Sequence, residues 1–281
     1  MTTDLGPERS WKAELRLGFR HDGQRTVLAD MDFHGPLRVQ RPFHPEGAPC
    51  HCYVLHPPGG LVSGDRLHIQ ARVQPGAHAL LTTPSAGKVY GTDSQGVPQG
   101  QNVTLSAHDG VIEWLPMESI VFDRANALMR LDVNLTGMAT AIGWDIVCLG
   151  REAGNHPFDT GRLDQRLHIH RDDRPLLLEN LSVAGGGSVQ AGAFGLGGRT
   201  VAGTMFVASD NPDLQLLVEP VREALHAQIG LIGVTCRRGV LLVRYLGDRA
   251  EEARNLLEQA WRVIRPALLG LSACAPRIWA T

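Results

Sequence analysis

The chain has 281 residues, 43% hydrophobic and 20% charged, with a formal charge of −2 when its twelve histidines are neutral. This is ordinary globular composition, with enough apolar mass for a large core in one domain or in one domain plus a lobe. The charge balance excludes the basic excess that nucleic acid or an anionic membrane would attract, and no run of about 18 apolar residues offers a transmembrane helix.

In chain order, Met1–Ser10 is short and polar and reads as no signal peptide. Gly35–Leu67 follows, dense in turn formers and in metal-capable side chains: His44, His51, His56, Cys50, Cys52, Glu46 and Asp65. Strict alternation then begins. Leu67, Ile69, Ala71 and Val73 face one way, and Arg66, His68, Gln70 and Arg72 the other. Val103, Leu105 and Ala107 repeat the pattern, as do Met129, Leu131, Val133 and Leu135, and then Leu163, Gln165, Leu167 and Ile169. Each such segment predicts a strand with one face on a core. Turns at Pro75–Gly76, Asp109–Gly110 and Thr160–Gly161 separate them.

Ala184–Gly198 is glycine-rich and reads as a flexible surface connector. Leu214, Leu217, Val218, Val221 and Leu225 paint one face of a helix over Asn211–Gln228, started by Asn211–Pro212 and kinked or interrupted at Pro220. Leu231–Thr235 and Val240–Leu246 flank Arg237–Gly239 as a hairpin. A second helix, with Ala253, Leu256, Leu257, Ala260 and Ile264 on one face, runs over Arg249–Leu269 and ends at Pro266. The expected fold is mainly β: a sandwich, barrel or solenoid-like body over 1–183, the loop 184–198, and strands with two helices around a hairpin over 199–281, all one domain across 1–281. No fixed-period repeat is present.

The five cysteines (Cys50, Cys52, Cys148, Cys236 and Cys274) are odd in number and lack a disulfide spacing, which suits a reducing cytoplasm. Enzyme motifs fail one after another. Ala86–Gly87–Lys88 lacks the leading glycine and trailing hydroxyl of a phosphate loop, with Thr82 and Val89 in those places. Gly195–Leu196–Gly197 lacks the last glycine of a dinucleotide fingerprint, where Thr200 stands. Neither Ser63 nor Ser188 has nucleophile-elbow spacing, and no His-Glu-x-x-His or Cys-x-x-Cys occurs.

Several residues admit a bland and a sharp reading. Cys50 and Cys52 share one face of a strand, as a soft metal pair or as small core residues. His168 and His170 share a face, as chelators or as a solvated pair. Asp65, after the Gly59–Gly60 and Gly64 turn, is a turn cap or a carboxylate lining a polar passage. Asp145, inside the apolar run Gly143–Cys148, is an ion-pair partner of Arg124, Arg151 or Lys88, or a lining group. Glu113 and Glu118 pose the same question. Glu46, in a proline-rich loop, is expected to be exposed.

Six blocks together resemble the urease accessory protein UreD (UreH) family: GPLRVQRPFHPEG (35–47), CHCYVLHPPGGLVSGDRL (50–67), GAHALLTTPSAGKVY (76–90), IEWLPMESIVFD (112–123), GWDIVCLGR (143–151) and PRIWAT (276–281). They run in family order along nearly the whole chain. The resemblance implies a strand-rich, β-helical fold with two helices and a non-enzymatic, cytoplasmic chaperone with no stably bound cofactor. Its implied partners are the urease apoprotein, the helical protein UreF (through which it assembles as a dimer) and the GTPase UreG, with Ni(II) bound only in transit. The family's water-filled nickel route falls on Asp65, and further on Glu46 and Asp145. Ser63 replaces a family glycine, Ser85–Ala86–Gly87–Lys88 departs from the family turn, and no lining residue is assigned at Glu152–His156. Weak oxygen ligands suit a metal in transit, because thiolates would trap it. The alternatives are a docking scaffold without a metal route, and a metal-dependent hydrolase built on His51, His56 and His168.

Overall fold

The computed structural model describes residues 11–151, 154–227 and 229–280. The alternating segments form strands whose consecutive members pass back and forth between two sheets. In chain order these are β1 (Trp11–His21), β2 (Thr26–His34), β3 (Arg38–Val39), β4 (Cys50–Leu55), β5 (Asp65–Val73), β6 (His78–Thr82), β7 (Gly87–Val89), β8 (Gln99–His108), β9 (Val111–Trp114), β10 (Ser119–Val121), β11 (Asn126–Thr136), β12 (Thr140–Leu149), β13 (Arg162–Arg171) and β14 (Arg174–Ala184). After a short helix α1 (Ser188–Ala191) come β15 (Val201–Ala208), α2 (Val218–Leu225), β16 (Leu231–Arg237), β17 (Val240–Gly247) and α3 (Ala250–Leu269).

Sheet 1 has the order β14-β13-β11-β8-β5-β1-β2, and sheet 2 runs β16-β17-β15-β12-β9-β6-β4-β3 with β10 and β7 attached through β12. The neighbours β1, β5, β8, β11 and β13 are all parallel, as are β4, β6, β9 and β12. The chain is therefore a two-sheet β coil, closed at its ends by the antiparallel strands β2, β14 and β15–β17. The expected mainly β, solenoid-like body is what forms.

Register stacks like on like. Leu15, Ile69, Val103, Leu131 and Leu167 stand side by side across five strands, and Leu17, Ala71, Leu105, Val133 and Ile169 form the next row. All ten are buried. These rows face the inner side of sheet 2, where Ala141, Val147 and Leu149 lie on β12. The opposite face of β12, with Trp144 and Ile146, packs with Leu256, Leu257, Trp261 and Ile264 of α3 and Val221 and Leu225 of α2. The layers are thus sheet, sheet and helices. Each apolar side chain buried this way contributes about 1.5–3 kcal/mol before entropy is counted.

The hairpin before α3 forms as the sequence indicates. Arg238 and Gly239 both take positive φ, 51° and 74°, the pairing that matches strand twist in a two-residue turn. Three expectations are corrected. The helix expected over 211–228 is α only over Val218–Leu225, behind a 3₁₀ turn over Pro212–Leu217; the run is interrupted just before Pro220, as the sequence indicates, and this proline takes a first-turn position where its missing N–H has no partner to lose. Pro266 does not end α3, which continues to Leu269 and stops at Gly270 with φ 66°. Leu268 and Leu269 pack on the helix-side core and hold that last turn in place. The glycine-rich 184–198 segment is not a structureless connector, because it folds into α1 and tight turns that bury Leu196.

Candidate functional site

Asp145 occupies an inward position of β12, in the row that otherwise carries Ala141, Val147 and Leu149. Its partner is none of the expected cations. Gln165 on β13 of the opposite sheet donates Nε2 to its Oδ2 at 2.8 Å. Burial pushes the Asp145 carboxyl above its ordinary value, and the Gln165 hydrogen bond only partly opposes that. Asp145 lines two cavities between the sheets. The first, about 120 Å³, is walled by aliphatic side chains such as Ile69, Val103 and Leu131, with His56, Lys88 and Gln101 among its polar members. The second, about 800 Å³, lies between β13–β14 and β15–β17, with Gln165, Glu179 and Arg244 on its walls.

His56 ends β4's run into the Pro57–Pro58–Gly59–Gly60 turn. Its Nε2 is buried without a hydrogen-bond partner. Burial lowers the pKa of this imidazole, and the charge of Asp65 opposes the shift. Asp65 is only 5% exposed, at the first position of β5. Its Oδ2 accepts the Val62 N–H at 2.9 Å, and its own N–H donates to the Val62 carbonyl at 3.0 Å. The turn-cap arrangement is thus realised, and Asp65 is absent from the walls of either cavity. Gly59 and Gly64 take φ of 74° and 86°, which only glycine adopts cheaply. Ser63 between them has no such demand, and its hydroxyl pairs with Asp93.

Glu46 is not exposed. Its carboxylate receives both Nη1 and Nη2 of Arg265 at 2.7 Å and Nε2 of His51 at 2.6 Å. Burial pushes this carboxyl up, but the His51 and Arg265 hydrogen bonds outweigh it and hold the value at about 2. Arg265 is fully buried on the apolar face of α3, and its Nε donates to Glu113 at 2.9 Å. Glu113, also fully buried, further accepts from His78 at 2.6 Å and from the Trp261 indole at 2.7 Å. Its carboxyl is held below its ordinary value, because His78 and Arg265 outweigh desolvation. The structure therefore separates the three carboxylates read as a route. Asp145 sits between two cavities, Asp65 caps its turn and its charge reaches His56, and Glu46 ties α3 to the coil. Glu118 lies 3.9 Å from Arg254.

Cys50 and Cys52 are buried in the main core. His168 and His170, with ring centroids 6.4 Å apart, are on strand β13, where His168 meets Asn180 and Asp132. Among the described residues no group of three or more His, Cys, Asp or Glu side chains is placed to hold a metal ion. The hydrolase triad is not assembled: His51 is bound to Glu46, while His56 faces the first cavity. Glu152, in the segment where no lining residue is assigned, lies outside the described residues.

Sequence reasoning missed Gln165, Glu179 and Arg265 as partners. Gln165 had a readable signal, a polar side chain at an inward position of β13. Arg265 had one too, a charge four residues after Trp261 on the apolar face of α3. Glu179 had none, because its partner Arg244 is distant in sequence and lies on the other sheet.

Fold and site define a two-sheet β coil with a carboxylate set inside its lumen. The family profile described as UreD urease accessory protein matches residues 12–280, and the chain belongs to that family. It is 45% identical to urease accessory protein UreD of Marinobacter nauticus, over 98% of this chain and 94% of that one. It is 45% identical to UreD of Chromohalobacter salexigens, over 97% and 90% of the two chains, and 44% identical to UreD of Dechloromonas aromatica, over 97% and 95%. No described helix is long and apolar enough to cross a membrane.

Proposed function

We propose that this chain is a non-enzymatic scaffold of urease maturation that docks on the urease apoprotein with UreF and UreG, and that its lumen conducts Ni(II) toward the urease active site. The observation that carries the conduit is Asp145, a carboxylate on the walls of both the inner cavity and the wider, open one. A dication crossing an apolar interior needs oxygen or imidazole ligands that bind weakly and in series. Asp145, with the unpartnered His56 Nε2 on the first cavity and Asp65 behind it, supplies that chemistry. Glu46 fits the route less well, because its oxygens are already bound by Arg265 and His51.

The test is Ni(II)-dependent activation of apo-urease by the complex carrying Asp145→Asn. This variant keeps side-chain shape and the Gln165 hydrogen bond while removing the charge. Activation falls, and co-purification with UreF, UreG and apo-urease persists. Normal activation with intact complexes sinks the conduit and leaves a docking scaffold whose nickel is carried by its partners.

A further inference from the structure

The wider cavity opens between the last strands of the two sheets, and a single ion pair crosses it. Asp145, Thr204, Arg244 and Gly233 are register neighbours across β12, β15, β17 and β16, so they stand in one row on the lumen face of sheet 2. All four line the cavity. From sheet 1, Gln165 reaches Asp145 and Glu179 reaches Arg244, with Nη1 3.2 Å from Oε1 and Nη2 bonded to Oε2. Asp145, Glu179 and Arg244 are the charged residues among those lining this cavity. Beyond Arg244 the row ends at Gly233, where an added Cβ would meet nothing within 4 Å. The pair therefore stands between open space and Asp145.

We propose that Glu179 and Arg244 form an electrostatic gate on this mouth of the lumen. Paired, the guanidinium neutralises Glu179 and leaves this mouth without a free carboxylate to draw in a dication. Released, Glu179 becomes a second free carboxylate in line with Asp145. The Arg244 side chain is 48% exposed and that of Glu179 27%, so water weakens the pair and a competing anion can draw Arg244 away. This inference rests on the conduit reading and adds the element that controls it.

The test uses the full chain with the partly exposed Cys236 and Cys274 replaced by Ser and with Thr204→Cys as reporter in the row between Asp145 and Arg244. Labelling rates are measured with a cationic ethylammonium methanethiosulfonate and with the neutral methyl reagent. Their ratio cancels changes in thiol reactivity. Arg244→Gln raises the ratio about threefold or more, Glu179→Gln lowers it, and Arg244→Lys falls between Arg244→Gln and the parent. Exchanging the charges, Glu179→Arg with Arg244→Glu, returns the ratio toward the parent value and controls for a single variant that fails to fold. An unchanged ratio in both neutral variants overturns the gate alone, provided Asp145→Asn still blocks nickel-dependent activation. A ratio that moves as stated while Asp145→Asn activates urease normally overturns the conduit, and with it the gate's assignment to nickel.

Discussion

Gln165 and Asp145 join the two sheets across the lumen through one hydrogen bond, Nε2 to Oδ2 at 2.8 Å. This places a carboxyl in a site that disfavours its charge, with a neutral amide rather than a cation opposite. Such a group is costly to the fold, so its presence points to use rather than stability.

The sign of that cost is testable. Burial raises the folded value of Asp145 above the ordinary 3.8. The native state therefore holds its proton longer than the unfolded chain. Stability is fully present below the unfolded value, declines as pH rises through the raised folded value, and is flat above it. Asp145→Asn lacks this decline. Thermal unfolding at neutral pH is expected to show the variant at least as stable as the parent, even though nickel-dependent urease activation is lost. A clear drop in melting temperature would instead make Asp145 a structural group.

Asp65 separates its two roles by substitution. Asp65→Ala removes the acceptor for the Val62 N–H and costs about 1 kcal/mol. Asp65→Asn keeps an acceptor oxygen and removes only the charge felt by His56. Urea midpoints are expected to rank the parent and Asp65→Asn together, with Asp65→Ala below. If the charge serves nickel transfer, both variants lose urease activation. Activation by Asp65→Asn at the parent rate leaves Asp65 as a turn residue.

Much of this architecture is legible before any coordinates. The alternation of Leu67–Val73, Met129–Leu135 and Leu163–Ile169 identifies both the strands and their buried faces, because a strand's period of two is a local property. The partners of those strands are not legible. β1 pairs with β5 across an excursion through β2, β3 and β4, so unequal turns leave no repeat length to count. Glu46 misleads for a related reason. A glutamate amid Pro42, Pro45 and Gly47 has every local mark of an exposed loop, and its main anchor, Arg265, stands 219 positions further on, joined by His51. The two prolines act differently: the run around Pro220 breaks into a 3₁₀ turn and α2 just ahead of it, whereas α3 passes Pro266 because last-turn packing holds the remaining residues.

Arg265 is the rivet between α3 and the coil. It carries the paired oxygens of Glu46 and one oxygen of Glu113 from a fully buried position. Arg265→Met leaves two buried carboxylates without their cation and is expected to cost about 3–5 kcal/mol. Arg265→Lys keeps the charge but loses the planar fork that serves both carboxylates at once, so it falls between. Urea denaturation followed by tryptophan fluorescence reads both, because Trp261 donates to Glu113 beside Arg265. A loss no larger for Met than for Lys would show that charge contributes little here.

The same cluster sets a pH window with the opposite sign to Asp145. Glu46 and Glu113 both have folded values below the ordinary 4.5, Glu46 at about 2. Their contribution to stability is present above the unfolded value and is lost as pH falls from about 4.5 toward about 2, when Glu46 takes up its proton and releases the Arg265 fork. The parent is expected to show falling urea midpoints through this window, with exposure of Trp261, which lies within α3. Glu46→Gln removes one titrating group from the cluster. It is less stable than the parent at neutral pH, its midpoint falls less steeply as acid is added, and the two converge near the bottom of the window. A pH slope identical in parent and Glu46→Gln would mean that Glu46 titrates alike in the folded and unfolded chains and that its link to Arg265 does not hold α3 down.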